Sequence, residues 1–188
     1  MHRPNPADPV SDEASPEVLQ RALRELHAPS LHGFALLLTL GDRRRAIALA
    51  TDAFAAADPH AAELRHPERA AAWLRSRVTA AAGRRDSRID ADARLDALGP
   101  LGVSAAVLAG LAALGVRERA ALIGSGIEGL DDRDVGTIVG RAGNRLDTML
   151  RGARQGFLAG CAAAPDGGSG PGGPLTDLVR AAAARAMA

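Results

Sequence analysis

The chain has very few aromatic side chains and no lysine. Its 188 residues include three Phe, one Trp and no Tyr, and all 23 basic residues are Arg. Ala supplies 42 residues, so most of the 47% apolar fraction consists of small side chains. The β-branched and aromatic residues that a β-sandwich needs are scarce. The composition therefore excludes a β-sandwich and predicts thin helical cores, in one average domain or two small ones.

Other features that the sequence lacks concern its location. No apolar run approaches the roughly 18 residues of a membrane span, and the first residues, MHRPNPADPVSDEASPE, lack the apolar segment of a secretory signal. The single Cys161 cannot form an internal disulfide and fits a reducing compartment. We therefore expect a cytoplasmic protein with no membrane partner. The formal net charge is only +1, so any nucleic-acid surface must arise from the local distribution of charge.

Helix signals dominate the first part of the chain. Residues 1–14 are rich in Pro and are predicted to be disordered. A helix is predicted to begin after Ser15, to break at Pro29 and to restart as a buried helix. Two more helices are predicted over 43–57 and from Pro67 to about residue 82. The inward stripe predicted for the first helix consists of Val18, Leu19, Ala22, Leu23 and Leu26.

The later part of the chain shows a second set of helix signals. Ser104 is predicted to cap one helix, and a second is predicted to follow Gly115 and to end near Ile127. The acids at 131–134 resemble a capping box and start a short helix that Gly140 ends. A long last helix is predicted from about residue 143 to residue 159.

Two linkers separate these parts. Residues 86–104 are acidic and contain a Gly-Pro break, which predicts a connector. Residues 161–174 include the run PDGGSGPGGP and predict a second, flexible one. The remaining tail, 175–188, has helical propensity but little apolar area, so we predict that folding does not require it.

Polar side chains gather on one face of the last helix. With Leu146 placed inward, a rotation of 100° per residue brings Arg, Asn, Thr and Gln side chains together on the opposite side. These types can bind phosphate or the edges of bases in a major groove, although a solvated face would also be polar. The residues are Arg141, Asn144, Arg145, Thr148, Arg151 and Gln155.

Basic residues also accumulate in the first part, where 15–85 carry eleven Arg and seven acids. The cluster of Arg75, Arg77, Arg84 and Arg85 is either a nucleic-acid surface or a solubilising one. Trp73 is either a core anchor or a stacking platform for an unpaired base. His60, Glu63 and His66 have ligand-type side chains, but their spacing suggests no closed site, so we expect no metal.

Three segments resemble bacterial sigma factors of the extracytoplasmic-function type. GDRRRAIALATDAF and AAWLRSRVTAAAGRR are similar to the second sigma region, and LAALGVRERAALIGSGIEGLDDRDVGTIVGRAGNRLDTMLRGARQGFL to the fourth. The resemblance implies an all-α fold with a region-two-like bundle over 15–85 and a region-four-like helix-turn-helix over 105–160. It implies partners as well: core RNA polymerase, promoter DNA and an anti-sigma or other regulatory protein. Neither enzymatic activity nor a cofactor is expected, because polymerase performs the chemistry.

The resemblance also assigns roles to surfaces. The helix over 43–57 would dock on polymerase through its outer face of Ala48, Thr51 and Asp52. The helix that carries Trp73 and Arg77 would meet the melted promoter, and the last helix would recognise duplex DNA. Where the family places several acids on the docking helix, this chain keeps only Asp52. That loss favours an alternative, a degenerate sigma paralogue that binds protein rather than promoter DNA. A third hypothesis is a helical DNA-binding regulator that uses only the rear domain.

Overall fold

The computed structural model describes residues 15–61, 63–64, 66–83 and 104–164, and within these ranges it contains helices and no strand. The all-α fold class is therefore confirmed. A front group of helices comprises α1 (Pro16–Leu38), α2 (Arg43–Ala57) and α3 (Pro67–Gly83). A rear group comprises α4 (Ala105–Ala112), α5 (Val116–Leu122), α6 (Asp132–Val139) and α7 (Asn144–Ala162). Most of both predicted linkers and the whole tail lie outside the described residues.

The predicted caps at Ser104 and Asp131 and the predicted stop at Gly140 agree with the structure, whereas α5 ends at Leu122 and a π-helical turn, Ile123–Ile127, continues to the predicted end. The Ser104 hydroxyl accepts a hydrogen bond from the Val107 amide at 3.3 Å, and the Asp131 carboxylate accepts one from the Asp134 amide at 2.8 Å. Each contact satisfies one of the amides that a helix start leaves unpaired. At the other end of α6, Gly140 has a φ of 68°, which ends the helix in the left-handed region that Gly adopts without strain.

α2 spans the predicted residues and begins with three Arg side chains, which oppose the helix dipole. The Asp42 carboxylate accepts a hydrogen bond from the Arg45 amide at 2.9 Å, and it places a negative charge at this helix start. The Arg45 guanidinium also donates to the Ala82 carbonyl at the end of α3 at 2.8 Å. A local acid and a neighbouring helix end therefore accommodate part of the positive charge.

The break predicted at Pro29 is wrong. α1 is one helix of 23 residues that continues through Pro29 to Leu38. Pro cannot donate the usual bond to the carbonyl four residues earlier, a loss that normally breaks or kinks a helix. Pro29 and Glu25 both lie on the exposed side of α1. The cost is offset because the second half of α1, from Leu31 to Leu38, is almost entirely buried.

The predicted inward stripe of α1 is wrong at three of its five residues. Leu23 is buried and Leu19 half-buried, but Ala22 is exposed, Val18 remains 43% exposed and Leu26 60% exposed. Only the C-terminal half of α1 runs through the centre of the front group. Its N-terminal half contacts neighbouring helices along one edge, where the Arg24 guanidinium pairs with the Asp58 carboxylate at 2.6 Å.

The front and rear groups share one hydrophobic core. α3 packs against α6, and the two groups are also joined by two buried guanidinium groups. Arg75 on α3 donates to both carboxylate oxygens of Glu128, each at 2.7 Å. Arg119 on α5 donates to the carbonyls of Leu111 and Leu114 in the rear group and to that of Leu38 in the front group. Charged hydrogen bonds thus bridge the two groups inside a core of small side chains.

The crossing of α4 and α7 depends on two glycines. A Cβ atom added to Gly160 would lie 2.8 Å from the Gly110 Cα and 2.8 Å from the Ala113 Cβ. One added to Gly110 would lie 2.6 Å from the Cys161 Sγ. The helices therefore approach closely at a point where no further carbon fits.

We expect Gly160→Ala to destabilise the chain by about 1–3 kcal/mol, the usual cost of overpacking. The matched control is Gly152→Ala in the same helix, because a Cβ added to Gly152 meets no atom within 4 Å. This change should stabilise the chain by about 0.5–1 kcal/mol through helix propensity. Urea denaturation measures both. Equal effects of the two substitutions would contradict the close crossing.

A buried histidine makes the stability depend on pH. His27 is 6% exposed, and its Nε2 atom has no hydrogen-bond partner in the described part of the chain. Burial, and then the positive charge of Arg75, lower the pKa of His27. The unfolded chain therefore binds this proton at a higher pH than the folded chain does.

We expect the free energy of unfolding to fall as the pH drops from 7.5 to 5.5, through the ordinary pKa of His near 6.5. His27→Gln should flatten this dependence, whereas His66→Gln, at an exposed histidine, should leave it unchanged. Denaturation at a series of pH values tests the pair. A slope that survives His27→Gln would assign the dependence to another group.

Candidate nucleic-acid interface

α6, the turn at 140–143 and the start of α7 form a helix–turn–helix unit. The Arg141 amide donates to the Gly136 carbonyl at 3.0 Å, and a Cβ added to Gly136 would lie 2.5 Å from the Arg141 carbonyl oxygen. Gly143 has a φ of 53° and precedes the first residue of α7. The turn is therefore tight, and it fixes the angle at which α7 leaves α6.

The buried face of α7 holds this helix against the rear group. Leu146, Leu150, Ala153 and Phe157 are buried at spacings of three and four residues. Met149 is half-buried and packs against the edge of the core. The opposite face of α7 is thereby directed to solvent.

The structure brings the six polar side chains predicted for this face together, and all six are exposed. The Thr148 hydroxyl donates to the Asn144 carbonyl at 2.8 Å, and the Arg151 guanidinium approaches the Thr148 hydroxyl oxygen at 3.4 Å. These contacts are local to the helix and leave the Arg and Asn side chains accessible. The set is Arg141, Asn144, Arg145, Thr148, Arg151 and Gln155.

Two grooves flank the start of α7. One, of about 980 Å³, lies between α6 and α7, and the other, of about 560 Å³, lies between α5 and α7. Arg141, Asn144 and Arg145 line both grooves. They therefore form the ridge between two concave surfaces, where a ligand would meet all three.

Two further residues on this surface were not predicted from the sequence. Arg133 and Thr137 on α6 are exposed and line the larger groove together with Arg141. In helix–turn–helix proteins the first helix crosses the DNA backbone, and this rule would have singled out exposed residues of α6. With Arg133, three guanidinium groups surround the groove.

The predicted front surface is only partly described. Arg77 is exposed, and its guanidinium carbon lies 5.6 Å from the centroid of the Trp73 ring. Trp73 is half-buried, packs against the core and has the His60 ring 6.1 Å away. Arg84 and Arg85 lie outside the described residues.

The prediction for Arg75 is wrong. We placed it on the exposed basic surface with Arg77, but its side chain is 5% exposed and pairs with Glu128. It also donates to the Ala71 carbonyl at 3.1 Å and lies 5.7 Å from the centroid of the Phe34 ring. Two residues along a helix rotate a side chain by about 200°, which places Arg75 on the side of α3 that the rear group covers, roughly opposite Trp73.

The outer face of α2 has the composition that we expected. Ala48, Thr51 and Asp52 are exposed, whereas Ala46, Leu49 and Phe54 are buried. Beside this face, Ile47 is 54% exposed and lines a groove of about 560 Å³ between α1 and α2. Of these three exposed side chains Asp52 alone is charged, and the exposed Arg44 lies one turn before Ala48.

Within the described ranges, no helix has both the length and the apolar character needed to cross a bilayer. The same residues contain no group of three or more His, Cys, Asp or Glu side chains arranged to hold a metal ion. No family model, curated protein or solved structure matches the chain.

Proposed function

We propose that this chain is a sigma-like transcription initiation factor, which binds core RNA polymerase and recognises promoter DNA through α6 and α7. One observation carries the proposal: five polar side chains share the exposed face of α7, and Arg141 is exposed in the tight turn that precedes this helix. Arg binds guanine or phosphate through two hydrogen bonds, and Asn or Gln pairs in the same way with adenine. The exposed face of α7 provides all three types.

The ridge between the two grooves suggests how α7 meets DNA. Arg141, Asn144 and Arg145 at the start of α7 would contact base edges, because the first turns of a recognition helix enter the major groove. Arg133 on α6 would contact the phosphate backbone and set the register. The rear residues 105–160 carry seven Arg against six acids, so their affinity for DNA should be weak and sensitive to salt.

In the front group, Trp73 and Arg77 would hold the melted strand. An aromatic ring next to a guanidinium group suits an unpaired base with its phosphate. α2 would dock on polymerase through Ala48, Thr51 and Asp52. No step in this role requires a cofactor or a catalytic group of this chain.

One observation favours a second candidate function. The outer face of α2 carries a single carboxylate beside an exposed Ile47, which suits an apolar protein contact better than a charged one. Under this alternative the chain is a degenerate sigma paralogue, which regulates by binding protein and leaves promoter recognition to other factors.

We expect Arg145→Glu and Arg151→Glu each to weaken binding to duplexes selected from a random pool by about tenfold or more. Arg151→Glu should also reduce the slope of log affinity against log salt by about 1, because a phosphate contact is lost. Arg21→Glu makes the same charge reversal at an exposed position of α1, and it should alter neither the affinity nor the salt dependence. Fluorescence anisotropy at several salt concentrations measures both quantities. If both charge reversals bind like wild type, the exposed face of α7 is only a solvated surface.

A second experiment separates the two candidate functions. Asp52→Arg should abolish co-purification with core polymerase without changing helicity, because it reverses the only carboxylate on the docking face. The double variant Ile47→Glu/Ala48→Asp should strengthen co-purification with polymerase. Ala22→Glu, at an exposed position of α1, controls for the effect of added negative charge. A pull-down followed by run-off transcription from genomic fragments provides the measurement.

The pattern of binding decides between the candidates. Wild-type binding that Asp52→Arg removes supports initiation. Binding by the Ile47→Glu/Ala48→Asp variant alone supports the degenerate paralogue. Tight wild-type binding that Asp52→Arg leaves unchanged would contradict our placement of the docking face.

A further inference from the structure

A carboxylate lies within the polar face of α7. Four exposed side chains follow one another at spacings of three and four residues and form one stripe along the helix: Asn144, Asp147, Thr148 and Arg151. Three of them were selected above as candidates for DNA contact. The fourth, Asp147, stands among them with the opposite charge to Arg151, so its presence on this face requires an explanation.

Arg151 does not neutralise Asp147. Side chains of opposite charge four residues apart on a helix are close enough to pair. The Arg151 guanidinium instead lies 3.4 Å from the Asp147 carbonyl oxygen and 3.4 Å from the Thr148 hydroxyl oxygen. The ion pairs among the described residues join Arg24 to Asp58, His60 to Glu63 and Arg75 to Glu128, and none of them includes Asp147. The carboxylate oxygens of Asp147 therefore remain available to a ligand.

A carboxylate has few partners on a DNA duplex. It only accepts hydrogen bonds, and phosphate repels it. The O6 and N7 atoms of guanine and the O4 atom of thymine are acceptors too, so they also repel it. The N4 amino group of cytosine is the donor with which Asp and Glu side chains pair in the major groove. Adenine has an amino group as well, but the N7 acceptor beside it suits the amide of Asn or Gln.

The neighbours of Asp147 direct it towards a base edge. The buried side chains of Leu146 and Leu150 fix the side of α7 on which it stands. Asn144, one turn earlier, is assigned to base edges in the proposed function, and Arg151, one turn later, to a phosphate. A carboxylate between these two contacts is favourable only where the duplex presents an amino group.

We propose that Asp147 is a specificity-determining residue, which accepts a hydrogen bond from the N4 amino group of one cytosine and rejects thymine at the same position. Thymine presents the O4 acceptor where cytosine presents its amino group, so Asp147 discriminates by repulsion as well as by attraction. The inference rests on the proposed function, because it requires α7 to lie in the major groove.

Selection from a random duplex pool provides the first measurement. The sites selected by wild type should contain one position at which cytosine dominates. Asp147→Asn should accept thymine there, because an amide can donate to O4. The control Glu25→Gln removes one negative charge from an exposed position of α1 and should select the same sites as wild type. Sequencing of the selected pools gives the preference at each position.

Fluorescence anisotropy then measures the discrimination on two duplexes that differ only by cytosine or thymine at that position. We expect wild type to bind the cytosine duplex about tenfold more tightly, the usual size of one base contact. Asp147→Asn and Asp147→Ala should each lower this ratio to about threefold or less. Both variants should also bind the thymine duplex more tightly than wild type does, because the repulsion from O4 is removed.

A purely structural role of Asp147 gives a different pattern. The residue lies in the first turn of α7, where a negative charge stabilises a helix. Loss of that effect would lower the melting temperature and weaken binding to both duplexes alike. A ratio that Asp147→Asn leaves unchanged would therefore overturn the proposal. Equal gains on both duplexes would overturn it too, since Asp147 would then only repel phosphate.

Failure of the proposed function is distinguishable from failure of this inference. If neither wild type nor Asp147→Asn enriches any sequence, α7 does not recognise duplex DNA, and both proposals are overturned. If wild type enriches a defined site in which no cytosine preference depends on Asp147, promoter recognition stands and only the role of Asp147 is overturned.

Discussion

The scarcity of large side chains forces the helices of this protein to approach closely. With 42 Ala and only four aromatic residues, each helix contact buries little area unless the backbones nearly touch. Gly110 and Gly160 allow this where α4 crosses α7, and Gly136 allows it beneath the turn that precedes α7. Close packing leaves little room for adjustment, so α7, the helix with the exposed polar face, is held by contacts that tolerate no added carbon.

Local sequence signals predicted where helices begin and end better than they predicted which residues are buried. The caps at Ser104 and Asp131 and the stop at Gly140 depend on neighbouring residues, and the structure has all three. Pro29 failed as a breaker because the burial of Leu31 to Leu38 outweighs one missing hydrogen bond, and burial depends on distant helices. Val18 and Leu26 fit an apolar stripe, but periodicity does not reveal that no described helix covers that end of α1.

In the candidate site, too, features set by one helix were predicted and features set by distant residues were not. One helical rotation from Leu146 predicted six exposed side chains, because a regular helix determines which residues share a face. Arg75 was misplaced because its partner, Glu128, is 53 residues away in the chain. A charged residue in a sequence suggests a surface, yet a core of small side chains has space for a guanidinium group if it is fully hydrogen-bonded. Arg133 was missed because the rotation was applied only to α7.

Arg119 shows one position at which this lysine-free chain needs an arginine. Its planar guanidinium group donates in three directions, to the carbonyl oxygens of Leu111, Leu114 and Leu38 at 2.8, 2.8 and 2.6 Å. Because the guanidinium group is planar and rigid, three carbonyl acceptors around it determine the orientation of the Arg119 head group as well as its position. A flexible ammonium group has no such plane and would leave the tilt of α5 undefined. α7 packs on α5, and α5 is hydrogen-bonded through Arg119 to the end of α1. The direction of the polar face of α7 therefore depends on the position of the end of α1.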